Sequence, residues 1–242
     1  MVEVIPAILK KSYNEMKEQV ASVTDFCRLV QIDFCDGKFV QSKTWPYADN
    51  ALGNDPMNDE HFLKIIEEEE GMPYWENVDY ELHLMVGRAH LDFDMYLKLS
   101  PKRILFQIEA EVEIDNKNSI EEFREFLEGI DVYIKDSIQI GICINPGTNI
   151  QNIIPIIPFI DYVQCMGIAV IGSQGQPFDE RVFDHIKYLR ENYSELIIAV
   201  DGCVNTETAP RLVDAGVSRL VIGSALLNSA DIKETYFDFA SL

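Results

Sequence analysis

The chain has 242 residues, 47% hydrophobic and 25% charged, enough for one large core, since a barrel of alternating strands and helices needs about 250. Forty-one acidic against 20 basic side chains give a formal net charge of -21, which argues against nucleic acid and anionic membrane surfaces as partners. Five cysteines without short paired spacing give neither a disulfide framework nor a four-thiolate zinc site, and no apolar run reaches the length of a signal peptide or membrane span, so a reducing cytoplasm is the expected setting.

Residues 2–9 form the first β-like run, and Ser12 caps a helical segment over 13–20. Residues 29–34 read as the second strand. Asp36-Gly37 then breaks the chain, and an irregular, proline-containing connection runs over 37–77, broken by an acidic helix at 59–70. Further strands are expected at 79–85, 103–109, 139–145, 162–168, 196–201 and 219–222, with helices at 118–129, 178–192 and 206–215. Strands and helices alternate to the end, so the expected class is α/β: a single (β/α)8 barrel domain over residues 1–242.

An open doubly wound sheet shows the same alternation. The parity of the polar residues separates the two. Gln31, Asp33 and Cys35 share one face of their strand, as do His83 with Met85, Gln107 with Glu109, Cys143 with Asn145, and Asp201 with Cys203. A barrel gives these groups one shared polar centre at its C-terminal mouth, whereas a flat sheet buries them separately, at about 1–3 kcal/mol for each unpaired hydrogen-bonding group.

Asp33 and Asp201 end the second and seventh strands, so their carboxylates can face each other across the mouth as acid and base. Each also suits a loop-capping role. His83 can bind a divalent cation, and with both aspartates it forms a ligand set that would relieve their mutual repulsion. Gln31 is a neutral, weak ligand or a hydrogen-bond partner for His83 or Asp33. Gln107 and Glu109 are candidates to orient the histidine.

Three glycine turns give an anion-binding signal: Gly172-Ser173-Gln174-Gly175-Gln176, Asp201-Gly202-Cys203 and Gly223-Ser224. They follow consecutive strands, and glycine lets backbone N–H groups approach a phosphate. Met85, Met166 and Cys35 are expected as an apolar collar at the mouth, and Cys27, Cys143 and Cys165 as packing residues.

These segments resemble the ribulose-phosphate 3-epimerase family from Ile5-Pro6-Ala7-Ile8-Leu9 to Gly223-Ser224-Ala225. The best local match is Val30-Gln31-Ile32-Asp33-Phe34-Cys35-Asp36-Gly37-Lys38-Phe39-Val40, followed by Glu81-Leu82-His83-Leu84-Met85 and Val200-Asp201-Gly202-Cys203-Val204. The resemblance implies a ribulose-phosphate-binding barrel of pentose phosphate metabolism. It also implies metal-assisted epimerisation at C3 of a ketopentose phosphate, D-ribulose 5-phosphate to D-xylulose 5-phosphate, through an enediolate.

Asp33 and Asp201 would be the proton relay and, with His83, the metal ligands, with Gln31 where the family has a second metal-binding histidine. The metal would be zinc, iron, manganese or cobalt, in a weakened site. His83, Met85, Met166, Gly172, Gly175, Gln176, Gly202, Cys203, Gly223 and Ser224 would surround the substrate. Ala7 stands for a family serine, Gln107 for a histidine, Cys35 for a methionine and Cys203 for a glycine, and the sixth-strand stretch 166–172 lacks a Pro-Gly-Phe turn. The alternatives are an epimerase or isomerase of another phosphosugar, and a phosphosugar-binding protein without turnover. The expected partner is a small phosphorylated sugar; further copies of the chain in a homo-oligomer are compatible with this reading.

Overall fold

The computed structural model describes residues 2–48, 55–113, 116–173 and 175–242. Gln174 and part of the 37–77 connection lie outside them. Eight parallel strands close in sequence order: β1 Glu3–Ile8, β2 Leu29–Cys35, β3 Asp79–Met85, β4 Arg103–Gln107, β5 Gln139–Ile144, β6 Tyr162–Met166, β7 Ile197–Asp201 and β8 Arg219–Ile222. β8 returns to β1 through Glu3 opposite Arg219 and Pro6 opposite Ile222. The barrel therefore replaces the open-sheet alternative.

Around the strands lie α1 Tyr13–Ala21, α2 Glu60–Ile66, α3 Phe93–Leu97, α4 Ile108–Glu111, α5 Lys117–Gly129, α6 Val132–Ser137, α7 Val182–Asn192, α8 Thr208–Asp214, α9 Ser224–Leu227 and α10 Ile232–Ala240. None of the helices described is long and apolar enough to cross a membrane. Ser12 caps α1 as expected: its hydroxyl accepts from the Glu15 N–H, and the Glu15 carboxylate accepts from the Ser12 N–H.

Strand alternation divides the apolar residues between two cores. Val30, Ile32, Phe34, Leu82, Leu84, Ile104 and Phe106 point outward into the layer under the helices. Leu105, Cys143, Tyr162 and Met166 fill the interior on one side, and Ile5, Ala7, Leu29 and Val221 on the other. Burying each large aliphatic side chain contributes about 1.5–3 kcal/mol.

Several boundaries differ from the sequence reading. β4 stops at Gln107, and Glu109 lies in α4 rather than on the strand. The acidic helix ends at Ile66: Glu67 to Glu70 would place negative charge at the negative helix end, and Glu68 turns to φ 62° instead. α7 begins at Val182 because Asp179 and Arg181 pair in a turn before it. β6 ends at Met166, where Gly167 N–H bonds the Asp201 carbonyl at 2.6 Å. α3, α6, α9 and α10 had no counterpart in the sequence reading.

The N-terminal end of the barrel is closed by a charged floor that the sequence reading missed. Arg103 reaches Glu3 at 2.8 Å, Arg219 reaches Glu3 at 2.8 Å, and the Tyr162 hydroxyl donates to buried Glu81 at 3.0 Å. Glu3 is part-exposed, so solvent screens its two ion pairs, whereas Glu81 is buried and depends on the Tyr162 hydroxyl and on Arg103 at 3.7 Å. Above this floor, Gly141 makes room for Tyr162: a Cβ at Gly141 would lie 2.5 Å from the ring. Gly141→Ala is therefore expected to destabilise the protein by about 1–3 kcal/mol in urea unfolding; an unchanged midpoint would show that this interior yields freely.

Candidate active site

The strand ends at the opposite mouth bring Asp33, His83 and Asp201 together. One ligand atom from each lies within 4.8 Å of the others. Asp33 is opposite His83 in the β2–β3 register, and their Oδ1 and Nδ1 are 3.3 Å apart. The exit of β2 is held by Thr44, whose hydroxyl donates to the Asp33 carbonyl at 2.6 Å and accepts from the Cys35 N–H at 2.9 Å.

Gln31 lies one inward position below Asp33. Its Nε2 donates to Asp33 Oδ1 at 2.8 Å and to Asp201 Oδ2 at 3.1 Å, holding two like charges together. As placed, Gln31 turns its nitrogen rather than its oxygen to the carboxylates. Gln164 adds a long contact, Nε2 to Asp201 Oδ2 at 3.5 Å. Gln164 was missed, although its position two residues before Met166 on the same strand face would have found it.

Burial, followed by the charge of Asp33, pushes the Asp201 carboxyl up to about 7. Burial alone would lower the His83 pKa, but the adjoining Asp33 carboxylate and the Asp201 charge turn the net shift upward. His83 Nε2 lies 3.0 Å from Gln107 Oε1, and Gln107 Nε2 donates to Glu109.

A cavity of about 150 Å³ opens above this cluster. That is below the roughly 300–1,000 Å³ of drug-sized ligand pockets, so it suits a small molecule. Asp33, His83 and Asp201 form its inner wall, with Met85 and Met166 beside them. Gly172, Gly175 and Gln176 line it from the loop after β6, Gly202 and Cys203 from the loop after β7, and Gly223 and Ser224 from the exit of β8. Cys35 is fully buried under Val40 and Met85 and is not among the lining residues, so the expected collar is made by the two methionines.

Asn205 also lines the cavity and was missed; its side-chain Oδ1 accepts from the N–H groups of Glu207 and Thr208. No lysine or arginine lines the cavity among the described residues. Gly202 has φ 94°, a conformation suited to glycine, and a Cβ there would meet Ile168 at 2.7 Å.

The ribulose-phosphate 3 epimerase family model matches residues 57–227, well over half of the chain. The chain belongs to this family. Ribulose-phosphate 3-epimerase of Bacillus subtilis (strain 168) is 27% identical, with 97% of this chain and 96% of the relative covered. The chloroplastic ribulose-5-phosphate-3-epimerase of Arabidopsis thaliana is 25% identical, with 96% and 73% covered. Membership makes this chain an isomerase of the epimerase type. Among solved structures, 3-keto-L-gulonate-6-phosphate decarboxylase of Vibrio cholerae O1 biovar El Tor superposes with a TM-score of 0.64 at 11% identity, covering 100% of this chain and 97% of the other. At that identity the likeness concerns the barrel alone.

Proposed function

We propose that the chain epimerises a ketopentose phosphate at C3, converting D-ribulose 5-phosphate to D-xylulose 5-phosphate, with Asp33 and Asp201 as the two proton carriers. The observation that carries this reading is the pairing of two carboxylates beside a small cavity, with the Asp201 carboxyl raised to about 7. Near neutral pH such a pair readily holds one proton, so one carboxylate is ready to accept while the other is ready to donate.

The ionised aspartate takes the C3 proton as the C2 carbonyl becomes an enediolate. The protonated aspartate then delivers its proton to C3 from the opposite face, and the ketone re-forms with C3 inverted. Each turnover moves the proton from one carboxyl to the other. The reverse epimer runs the same steps backwards.

A divalent cation fits the donor set. His83 Nδ1 is buried and has no donor or acceptor meeting hydrogen-bond geometry, and the two carboxylates approach the same point. Asp33, His83 and Asp201 would hold the cation, which when bound supplies positive charge for the oxyanion that develops beside C3. Coordination by Gln31 would require its amide to turn over from the present hydrogen-bonded orientation.

The phosphate is assigned to the backbone N–H groups around Gly202, Gly223 and Ser224, since no lysine or arginine lines the cavity among the described residues. D-Ribulose 5-phosphate is therefore expected to bind at least about tenfold more tightly than D-ribulose in calorimetric titration, because hydrogen bonds to a charged group contribute about 1.5–3 kcal/mol. Equal affinities would remove the phosphate assignment.

The reaction itself is tested by incubating D-ribulose 5-phosphate with the protein in deuterium oxide and following C3 by NMR. Deuterium at C3 together with D-xylulose 5-phosphate is the expected result. The Gln31 amide between the two carboxylates favours a second reading, a phosphosugar-binding protein without turnover. Tight binding without C3 exchange after reconstitution with zinc, iron, manganese or cobalt would establish that reading instead.

A further inference from the structure

The hydrogen-bond chain behind His83 ends on a fixed carboxylate. Glu109 Oε1 accepts from the Asn145 N–H at 2.8 Å and from the Thr148 hydroxyl, both at the exit of β5, and Glu109 Oε2 accepts from Gln107 Nε2. Gln107 Nε2 also lies 3.4 Å from Asn145 Oδ1. The Glu109 carboxylate is an acceptor whichever way the Asn145 amide is turned, and it faces this end of the Gln107 amide. Turning the Gln107 amide over would set its carbonyl oxygen against that carboxylate, so its oxygen must point to His83 Nε2, 3.0 Å away.

An amide oxygen can only accept. His83 Nε2 must then carry the hydrogen, which leaves the Nδ1 lone pair directed at Asp33 and Asp201. We propose that Gln107 and Glu109 are positioning residues that fix the Nε2–H tautomer of His83 through an amide relay, so that Nδ1 is the cation ligand. The inference deepens the metal-assisted reading of this site and rests on it for its consequence, while the tautomer itself is a property of the metal-free protein.

The placement explains why Glu109 serves this role after the chain has left the strand. α4 starts immediately after Gln107, which swings the Glu109 carboxylate sideways to the β5 exit rather than into the cavity. It is anchored by backbone and hydroxyl donors from a neighbouring βα unit. Gln107 itself is fully buried at the end of β4, opposite Cys143 in the β4–β5 register. Without the relay, the Nδ1–H form gains a hydrogen bond to Asp33, and that hydrogen occupies the lone pair a cation needs.

The test uses protein carrying ¹⁵N-labelled histidine, with His83 assigned by its loss in His83→Gln, at a pH where the imidazole is neutral. In the metal-free wild type, Nε2 is expected at the shift of a protonated ring nitrogen and Nδ1 at that of an unprotonated one. Gln107→Met removes the acceptor and keeps similar bulk; Glu109→Gln removes the charge that orients the amide and, at a half-buried site, serves if the first variant misfolds. Either variant is expected to populate the Nδ1–H form and to weaken zinc binding in calorimetric titration by about 10- to 100-fold, the usual effect of losing a partner that orients a ligand.

A wild-type His83 in the Nδ1–H form would overturn the proposal, as would folded variants that keep the wild-type tautomer or bind zinc within threefold of wild type. Failure of the epimerase reading would look different: the tautomer would respond as expected, with no deuterium entering C3 of D-ribulose 5-phosphate.

Discussion

Asp33→Asn and Asp201→Asn are each expected to lower both C3 proton exchange and turnover of D-ribulose 5-phosphate by about 10²–10⁴, the range of a general acid or base contribution. The effect should fall mainly on kcat. Asparagine preserves most of the shape and leaves Gln31 an oxygen to bond, but it cannot carry the proton across the enediolate. In a two-carboxylate relay both substitutions must be damaging, because each aspartate is donor in one direction and acceptor in the other. Single-turnover measurements on protein freed of host epimerase provide the check. A folded variant of either residue with wild-type turnover would remove that residue from the relay.

The second large effect concerns stability and has the opposite sign. The Asp201 carboxyl is raised from 3.8 to about 7 by burial and by the Asp33 charge. Between these values the folded protein holds a proton that the unfolded chain releases. The favourable contribution is thus full below about 3.8, declines as pH rises towards about 7, and is absent above it. Metal-free protein should consequently lose stability across that window. Asp201→Asn should flatten this component and raise metal-free stability at neutral pH by about 1–3 kcal/mol, with solvent at the mouth screening part of the full penalty.

Urea unfolding in the presence of chelator, measured at pH 5 and pH 8, tests this expectation. A metal-free Asp201→Asn protein less stable than wild type at pH 8 would contradict it. The same substitution would then improve the fold of the metal-free protein while disabling the proposed chemistry. That opposition is characteristic of a site where like charges are held together for function. Adding zinc should stabilise the wild type much more than the variant, since binding to the folded state alone raises its stability by mass action.

The alternation of short β-branched runs with amphipathic segments was enough to place all eight strands approximately, because a strand buried on both faces leaves a compact apolar signature. Parity along those strands also placed Asp33, His83 and Asp201 on the inward side, since side-chain direction on a strand is set by counting in twos. What counting could not supply was the depth of each residue and its hydrogen-bond partners. Glu109 shared the parity of Gln107 in the sequence, yet it left the strand for α4, and its bonds to Asn145 and Thr148 cross from one βα unit to the next. The floor of Glu3, Glu81, Arg103 and Arg219 was equally hidden, because its members are far apart in the chain: Glu81 meets Arg103 through the β3–β4 register, and Glu3 meets Arg219 only when β8 closes on β1. The orientation of Gln31 likewise depended on closure: two carboxylates from β2 and β7 converge on its nitrogen, and only that convergence decides which end of the amide faces the site.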